Sequence, residues 1–377
     1  MKKIAFYAPL KAPDHPVPSG DRLIAQLLMK ALQTAGFEVK LASRFRTRDG
    51  KGDSDWQQRA IHVGRKIARR LILSWEQQDY RPDAWFTYHL YYKAPDLIGP
   101  YIAEHFRIPY LVAEASWAGK RANGPWHLYH QQLEQALLQA NRIFTINPVD
   151  SRALPRFIPD VSRIITLRPF LDFSAIQDTP APPQPTSTHT ALDTHTPQLI
   201  TVAMMRAGDK LASYQLLSEA LAYVTQPFQW FIVGDGPERS TVEGLFANDP
   251  RIHFCGQLNN QQVHALLTQC HLHVWPAVNE AFGMALLEAQ YQGVAILSGD
   301  EGGVSHVMKH GVTGELVPAR DAQALGLAIQ RLLTDAGQLQ HYRQHAQHYV
   351  ETNHSLTQAA NVLKHEISAL LKEFSHA

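Results

Sequence analysis

The stretch HLHVWPAVNEAFGMALLEAQYQG, residues 271–293, shows most directly how this chain folds. It reads as a buried strand, a turn and then a helix predicted to begin at Ala281 or Phe282. Glu280 lies in the turn. Glu288 lies about two helical turns further along, where residues seven or eight positions apart share one face. The stretch therefore predicts a strand–turn–helix unit of an α/β protein.

The start of this helix carries groups that suit an anion. Four residues offer backbone N–H groups without helical acceptors, with small side chains among them: Phe282, Gly283, Met284 and Ala285. A diphosphate is a natural ligand for such a helix start. On spacing alone, however, the simpler interpretation makes Glu280 a partner of the helix dipole and Glu288 a solvated helical residue.

The same alternation of short apolar strands and amphipathic helices runs through the whole chain, which is typical of parallel sheets wound by βα units. The predicted strands of the first half are KIAFYA, FEVKLA, DAWFTY, PYLVAE, RIFTI and RIITL, with helices near 20–35, 55–79, 94–106 and 126–140. Those of the second half are LITVAM, QWFIVG, RIHFCG, HLHVW, VAILSG and TGELV. The predicted fold class is α/β, with two Rossmann-like, doubly wound domains.

A Pro- and Thr-rich stretch, QDTPAPPQPTSTHTALDTHTPQ at 177–198, separates the two halves and cannot bury a core. We therefore predict an N-terminal domain over 1–176, a linker over 177–197 and a second domain over 198–337. Helices alone are predicted over 338–377. Ligands of such sheets bind at the carboxyl ends of the strands.

Composition narrows the class of protein. A chain of 377 residues with 45% hydrophobic and 18% charged side chains is typical of a globular protein with two domains. The apolar run at the start is too short for a signal peptide, and no run approaches the twenty residues of a spanning helix. Two cysteines are too few for a disulfide framework, so we expect a reducing compartment, the cytoplasm.

The net charge of +1 hides an asymmetry. Residues 1–175 hold 25 Lys and Arg against 16 Asp and Glu, and the remainder holds 10 against 18. A basic first half suits an anionic substrate or the inner face of a membrane, as well as an ordinary solvated surface. The helix over 59–75, with four cations beside an apolar stripe, allows peripheral membrane contact, although a core-facing helix has the same pattern. No nucleic-acid partner is expected.

With Glu280 and Glu288 separated by seven residues around Phe-Gly-Met, the sequence resembles glycosyltransferase family 4 proteins. The resemblance implies the GT-B fold, in which two Rossmann-like domains face each other across a cleft and the C-terminal helices pack back toward the N-terminal domain. It also implies sugar transfer from a nucleotide-diphosphate sugar with retention of configuration, without a metal or other cofactor. Glu280 would then hold the transferred sugar and Glu288 the ribose hydroxyls.

Two further segments resemble the donor side of the family. In ITVAMMRAGDKLASYQLLSEAL, Arg206 and Lys210 follow the first strand of the second domain, where two cations suit a departing diphosphate. Surface charge near a helix start is the alternative. FIVGDGPER brings Gly234 to a turn near the nucleotide, and Gln257 and Leu258 fall where relatives contact the base, or else begin a loop.

The N-terminal domain carries the expected acceptor side. HPVPSGDRLIAQLL resembles the family's glycine loop, with close backbone approach resting on Gly20, while Ser19 equally suits a helix cap. Where many members have a histidine, PYLVAEASWAG has Glu114. His89, at the end of the preceding strand, is the nearest candidate histidine, although a strand-end histidine is often structural. Lys120 lies in a loop that suits an anionic acceptor.

Two patterns that resemble metal sites are interpreted otherwise. Asp53-Ser54-Asp55 opens a basic helix instead of ending a strand, so Asp53 is predicted to cap that helix. Cys270, His271 and His273 lie on a buried strand whose alternate residues point to opposite faces, which disfavours zinc. No metal site is predicted.

The sequence thus predicts a retaining, metal-independent glycosyltransferase whose acceptor is a glycan, a lipid-linked sugar or a small molecule. A GT-B epimerase or phosphorylase and a non-catalytic sugar-nucleotide-binding protein are the alternatives. A dinucleotide oxidoreductase is disfavoured because no Gly-x-Gly-x-x-Gly follows the first strand. The donor sugar, the acceptor and the oligomeric state are not specified.

Overall fold

The computed structural model describes residues 1–17, 19–174, 196–247 and 249–375. The chain divides into two compact units. Unit 1 comprises Met1–Arg168 and Leu356–Ala377, and unit 2 comprises Pro169–Ser355. Each unit contains one six-stranded sheet with helices packed on it, so the predicted α/β class is confirmed. All but the last two residues of the predicted linker at 177–197 lie outside the described residues.

Unit 1 is built on a parallel sheet of strand order β2-β1-β3-β4-β5-β6. The strands are β1 (Lys3–Tyr7), β2 (Glu38–Ser43), β3 (Ala84–Leu90), β4 (Tyr110–Ala115), β5 (Arg142–Thr145) and β6 (Ile164–Thr166). The helices between them are α1 (Gly20–Thr34), α2 (Ser54–Gln77), α3 (Gly99–Phe106), α4 (His127–Gln139) and the single turn α5 (Pro148–Ser151). The central strands are continuous apolar runs because helices cover both faces of the sheet.

Unit 2 repeats the plan with strand order β12-β11-β10-β7-β8-β9, again all parallel. Its strands are β7 (Gln198–Val202), β8 (Gln229–Val233), β9 (Ile252–Gly256), β10 (Leu272–Trp275), β11 (Ala295–Gly299) and β12 (Gly314–Val317). Its helices are α6 (Asp209–Ala220), α7 (Arg239–Leu245), α8 (Asn260–Leu267), α9 (Met284–Tyr291), α10 (Ala322–Thr334) and α11 (Ala336–Asn353). Every strand predicted from the sequence is present.

The strand order of unit 2 decides where a ligand fits. The chain adds β8 and β9 on one side of β7, and then places β10, β11 and β12 on the other side. β7 and β10 are therefore neighbours, and the loops that follow them leave the carboxyl edge of the sheet in opposite directions. Such a topological switch point leaves a crevice between the two loops, which is the usual ligand site of an open α/β sheet.

The sequence predicted that both C-terminal helices pack back toward the N-terminal domain, and the structure differs for one of them. Only the second, α12 (Leu356–Ser375), joins unit 1, where it packs against α1. α11 stays in unit 2 because Leu339, Tyr342 and Val350 bury their side chains in the core of that unit. In the described ranges, no helix is both long and apolar enough to span a bilayer.

Candidate functional site

A cavity of about 630 Å³ opens at the carboxyl edge of the unit 2 sheet. Its walls come from the loops after β7, β8 and β9 and from helices α8 and α9. The structure brings five predicted donor-side residues together in this lining: Arg206, Gly234, Gln257, Leu258 and Glu288. The volume is sufficient for a small molecule or cofactor.

Backbone contacts hold the loops after β7 and β8 together at the cavity wall. The amide of Met205 donates to the Asp235 carbonyl at 3.0 Å, and the amide of Glu238 donates back to the Met205 carbonyl at 3.0 Å. A Cβ atom on Gly234 would lie 1.9 Å from the Ala203 carbonyl oxygen, and Gly234 has a φ of +148°. Only glycine fits this close approach, so Gly234 shapes the wall by allowing the two loops to meet.

Lys210 and Glu280, predicted to act on different parts of a donor, form one cluster with Trp275. The Lys210 Nζ lies 2.5 Å from Glu280 Oε2, to which the Trp275 indole N–H also donates at 3.2 Å. The same Nζ lies 5.2 Å from the centroid of the Trp275 ring. The two charged groups are therefore fixed in position before any ligand arrives. Arg206, by contrast, is exposed and forms no ion pair with the described residues.

The loop carrying Glu280 is held by a second backbone contact. The amide of Gly303 donates to the Glu280 carbonyl at 2.8 Å. Gly283, at a φ of +64°, then turns the chain into α9. The predicted helix start at Ala281 or Phe282 is therefore wrong by two or three residues, because this contact and the left-handed glycine keep the preceding residues out of the helix. Over residues 281–285, no amide has an acceptor among the described residues. These include the amides of Phe282, Gly283, Met284 and Ala285, which leaves them available to an anion.

We expect Gly303→Ala to weaken nucleotide binding more than it weakens the fold. A Cβ on Gly303 would lie 2.1 Å from the Ala281 carbonyl oxygen, so the Glu280 loop must move away. Gly244→Ala is the matched control, since a Cβ there meets nothing within 4 Å. Isothermal titration should show about a tenfold loss of affinity in Gly303→Ala and no loss in the control. Equal affinities would mean that the position of this loop does not matter for binding.

Glu288 is half-buried, and its carboxyl group forms no hydrogen bond or ion pair with the described residues. Burial raises the pKa of its carboxyl from 4.5 to about 7. A solvated helical position, the alternative left open by the sequence, does not fit this environment. A half-buried carboxyl group that lines a cavity without a protein partner is a ligand-binding candidate.

The acceptor-side candidates of unit 1 lie at the carboxyl ends of β3 and β4. His89 Nδ1 is 2.9 Å from Asp21 Oδ1. Glu114 is buried, and its Oε2 accepts the amides of Ile146 and Asn147 at 3.1 and 3.0 Å. Both His89 and Glu114 have positive φ, at 63° and 59°. Such strained residues cluster at functional sites, although the Glu114 carboxylate is already engaged in fixing the turn after β5.

The remaining unit 1 candidates are more open. Gly20 is the first residue of α1, and a Cβ there would meet nothing within 4 Å. The Ser19 hydroxyl caps the helix by accepting the Arg22 amide at 3.3 Å. Lys120 is exposed in a short 3₁₀ turn, Gly119–Arg121.

The two metal-like patterns have structural roles. Asp53 caps α2 by accepting the Trp56 amide, as predicted. His271 Nδ1 accepts the Gln198 amide at 3.1 Å, and His273 is buried within β10. Within the described part of the chain, no group of three or more His, Cys, Asp or Glu side chains is arranged to hold a metal ion.

The part of the chain that forms this cavity also matches a model of a known protein family. Residues 194–349 match the family model described as glycosyl transferases group 1. The matched region covers about two fifths of the chain and includes all the residues that line the unit 2 cavity. Over 107 residues, 28% of either chain, it is 36% identical to the N-acetyl-alpha-D-glucosaminyl L-malate synthase of Bacillus anthracis. The chain spans less than half of the length of the curated relatives it matches. The resemblance to glycosyltransferase family 4 is thereby confirmed.

Solved structures match the fold over almost the whole chain. Sucrose-phosphate synthase from Thermosynechococcus elongatus has a TM-score of 0.71 at 18% identity, covering 99% of this chain and 100% of that chain. Anabaena Alr3699/HepE in complex with UDP has a TM-score of 0.70 at 13% identity, covering 98% and 100%. At such identities the likeness concerns the fold alone, and it confirms the GT-B assignment.

Sequence reasoning did not find every residue of the site. Asp235 and Asn260 line the cavity beside the predicted residues, and Trp275 fixes the Lys210–Glu280 pair. Trp275 ends a predicted strand, so its place at the carboxyl edge was a usable signal. Gly302 and Gly303 follow β11 at the same edge of the sheet, and both lie close to the backbone of the Glu280 loop. This glycine pair after a predicted strand was a second usable signal.

Proposed function

We propose that the protein transfers a glycosyl group from a nucleotide-diphosphate sugar to a glycan, lipid-linked or small-molecule acceptor, with retention of configuration. One observation carries the proposal. The unit 2 cavity combines an unpaired Arg206 and a Glu288 carboxyl group without a partner at the switch point of the sheet. Beside them, Lys210 at the start of α6 pairs with Glu280 on the loop after β10. The match to the group 1 family and a structural neighbour solved with UDP support the same ligand class.

Each charged group has a chemical task in this proposal. Glu288 accepts hydrogen bonds from the ribose hydroxyls, and the amides at the start of α9 bind the diphosphate. Arg206 and Lys210 stabilise the charge that develops as the bond between the anomeric carbon and the diphosphate oxygen breaks. The acceptor hydroxyl forms the new bond on the same face, and its proton passes to the departing diphosphate. Glu280 keeps Lys210 in place and contacts the transferred sugar.

We further propose that these two cations supply the charge stabilisation, so that neither a metal ion nor another cofactor takes part. The cytoplasm is the proposed compartment, which suits the free thiols of Cys255 and Cys270. The exposed cations of α2, Arg59, Lys66 and Arg70 among them, provide a surface for peripheral contact with the inner face of a membrane.

The proposal is tested with a panel of nucleotide-diphosphate sugars and free nucleotides on the full-length protein. Thermal shift reports binding, and chromatography of the products reports the reaction. A stabilising nucleotide sugar whose glycosyl group is transferred or slowly hydrolysed supports the proposal. An isomerised donor would indicate an epimerase, released sugar phosphate a phosphorylase, and binding without turnover a binding protein. The proposal fails if nothing in the panel stabilises the protein.

Nucleotide-sugar affinity should rise between pH 6 and 8 in the wild type and stay level in Glu288→Gln. A carboxylate with a pKa of about 7 is largely protonated at the lower pH, and only the ionised form accepts from both ribose hydroxyls. Glu219→Gln, an exposed glutamate of α6 outside the cavity, is the control and should follow the wild type. A pH dependence unchanged in Glu288→Gln would assign the ionisation to another group.

The stability of the unliganded protein gives an independent check on the pKa of Glu288. Its pH dependence should have the opposite direction to that of nucleotide-sugar affinity. Because the folded-state pKa of Glu288 lies above its ordinary value of 4.5, folding takes up a proton between pH 4.5 and 7. This contribution to the free energy of unfolding is complete below pH 4.5 and is lost as the pH rises through about 7. The melting temperature of Glu288→Gln relative to wild type should therefore increase from pH 5 to 8.

A further inference from the structure

A group of aromatic and cationic side chains at the carboxyl edge of the unit 1 sheet takes no part in the donor cavity. We call it the aromatic–cationic cluster, formed by Tyr92, Lys93, Arg121 and Trp126. The Tyr92 and Trp126 rings meet edge to face with centroids 5.5 Å apart. Lys93 Nζ lies 5.7 and 5.2 Å from these centroids, and Arg121 Cζ lies 5.2 and 5.4 Å from them.

The rings are part of a longer row that begins at the end of β3. The centroids of His89 and Tyr91 are 5.0 Å apart, and those of Tyr91 and Tyr92 are 5.8 Å apart. The Trp126 indole N–H donates to the Asp49 carbonyl at 3.1 Å, which fixes the far end of the row. Half-buried aromatic faces beside polar groups are typical of small-molecule sites, and the C–H faces of sugar rings stack well on them.

The cations of the cluster lack acidic partners. Lys93 and Arg121 form no ion pair with any residue that the structure describes, and Arg121 Nε is buried without a hydrogen-bond acceptor. The neighbouring Asp49 carboxylate is already engaged by three backbone amides and the Gln57 side chain. No described carboxylate therefore neutralises the two cations of the cluster, and a bound anion would form charge-assisted hydrogen bonds with them.

We propose that the aromatic–cationic cluster binds the acceptor and that this acceptor is a saccharide carrying an anionic group, a phosphate or a carboxylate. The inference rests on the proposed function, because a transferase whose donor cavity is lined by unit 2 alone needs other residues for its second substrate. The carboxyl edge of the unit 1 sheet is the equivalent ligand edge. The Tyr92 and Trp126 rings of the cluster supply stacking surface, and its unpaired cations select for charge.

A membrane surface is a weaker explanation of the same cations. Binding to a bilayer strengthens with the apolar area that inserts among the lipids as well as with electrostatic attraction. None of the exposed large apolar residues in the described ranges belongs to the cluster, and its two rings are half-buried. The fixed indole of Trp126 cannot reorient for insertion. A discrete anionic ligand fits these observations better.

The test compares full-length wild type with Lys93→Gln/Arg121→Gln. The control variant, Lys364→Gln/Lys372→Gln, removes two exposed charges from α12 of the same unit. Titrations use hexagalacturonate, pentamannosyl phosphate and neutral maltohexaose. We expect wild type to bind an anionic saccharide about tenfold more tightly than the neutral one, with affinity falling as salt is added. The cluster variant should lose about tenfold, and the control less than about twofold.

Four results would overturn the inference: no binding of either anionic saccharide, equal binding of the neutral one, an equal loss in the control, or binding only to phosphatidylglycerol vesicles. The nucleotide-sugar thermal shift, measured on the same samples, separates the two proposals. If it persists in all variants while saccharide binding fails, only the acceptor inference falls. If it is absent from the wild type, the proposed function falls as well.

Discussion

Replacing Lys210 with methionine should lower the turnover of the nucleotide sugar by about 10²- to 10³-fold. The ammonium group is held by Glu280 and lies over the Trp275 ring, so its position is fixed in the unliganded protein. A cation placed in advance stabilises the charge on a departing diphosphate without the cost of reorganisation. Methionine retains most of the side-chain length and removes that charge.

Initial rates at saturating donor give the relevant comparison. The fall should appear in kcat with little change in KM, because the charge that Lys210 stabilises develops in the transition state. Lys309→Met, at an exposed lysine of the same unit, removes one charge away from the cavity and should keep full activity. A loss in Lys210→Met no larger than in this control would exclude Lys210 from the transfer step.

The largest effect on stability is expected for Asp96→Ala, at about 3–5 kcal/mol. The Asp96 carboxylate is buried in the loop between β3 and α3, and burial raises its pKa although its hydrogen bonds oppose the shift. Five donors point at it: the Trp85 indole, the Thr87 and Tyr110 hydroxyls, and the amides of Ile98 and Gly99. Alanine removes this acceptor from all five donors, although the Trp85 indole also donates to the Thr87 hydroxyl oxygen at 2.8 Å.

Urea denaturation of the full chain measures the loss, and Asp53→Ala is the matched control. Asp53 also caps a helix of unit 1, but on the exposed surface, where removal costs about 1 kcal/mol. Asp96→Asn should lower the free energy of unfolding about as much as Asp96→Ala. The side-chain NH₂ of asparagine is itself a donor, and it would face the donors that surround this position. If Asp96→Ala costs no more than Asp53→Ala, the five hydrogen bonds do not determine the stability of unit 1.

The strands and helices could be predicted from the sequence because the patterns that indicate them are local. Each apolar strand and each amphipathic helix is encoded by its own residues, and the Asp53 cap lies next to the helix that it begins. The helix predicted near 94–106 begins only at Gly99 in the structure. The reason is the Asp96 carboxylate, which accepts the amides of Ile98 and Gly99 and so delays the start.

The arrangement of the site was less predictable because it depends on contacts between distant residues. Lys210 and Glu280 are seventy positions apart, and nothing local to either indicates that they pair. In the sequence, Glu114 is a polar residue at the end of a strand and therefore a candidate for ligand binding. In the structure, amides of the turn after β5 donate to its carboxylate. Glu288 has an ordinary helical position in the sequence, and the burial that raises the pKa of its carboxyl depends on the folded structure.

The division of the chain has a consequence for biosynthesis. Unit 1 contains α12, which follows all of unit 2 in sequence, packs against α1 and pairs Glu366 with Arg142 at 2.8 Å. On the ribosome, the first 168 residues therefore emerge long before the helix that covers α1. We therefore expect the apolar surface that α12 buries to stay exposed while unit 2 is translated, so that unit 1, although synthesised first, completes its fold last.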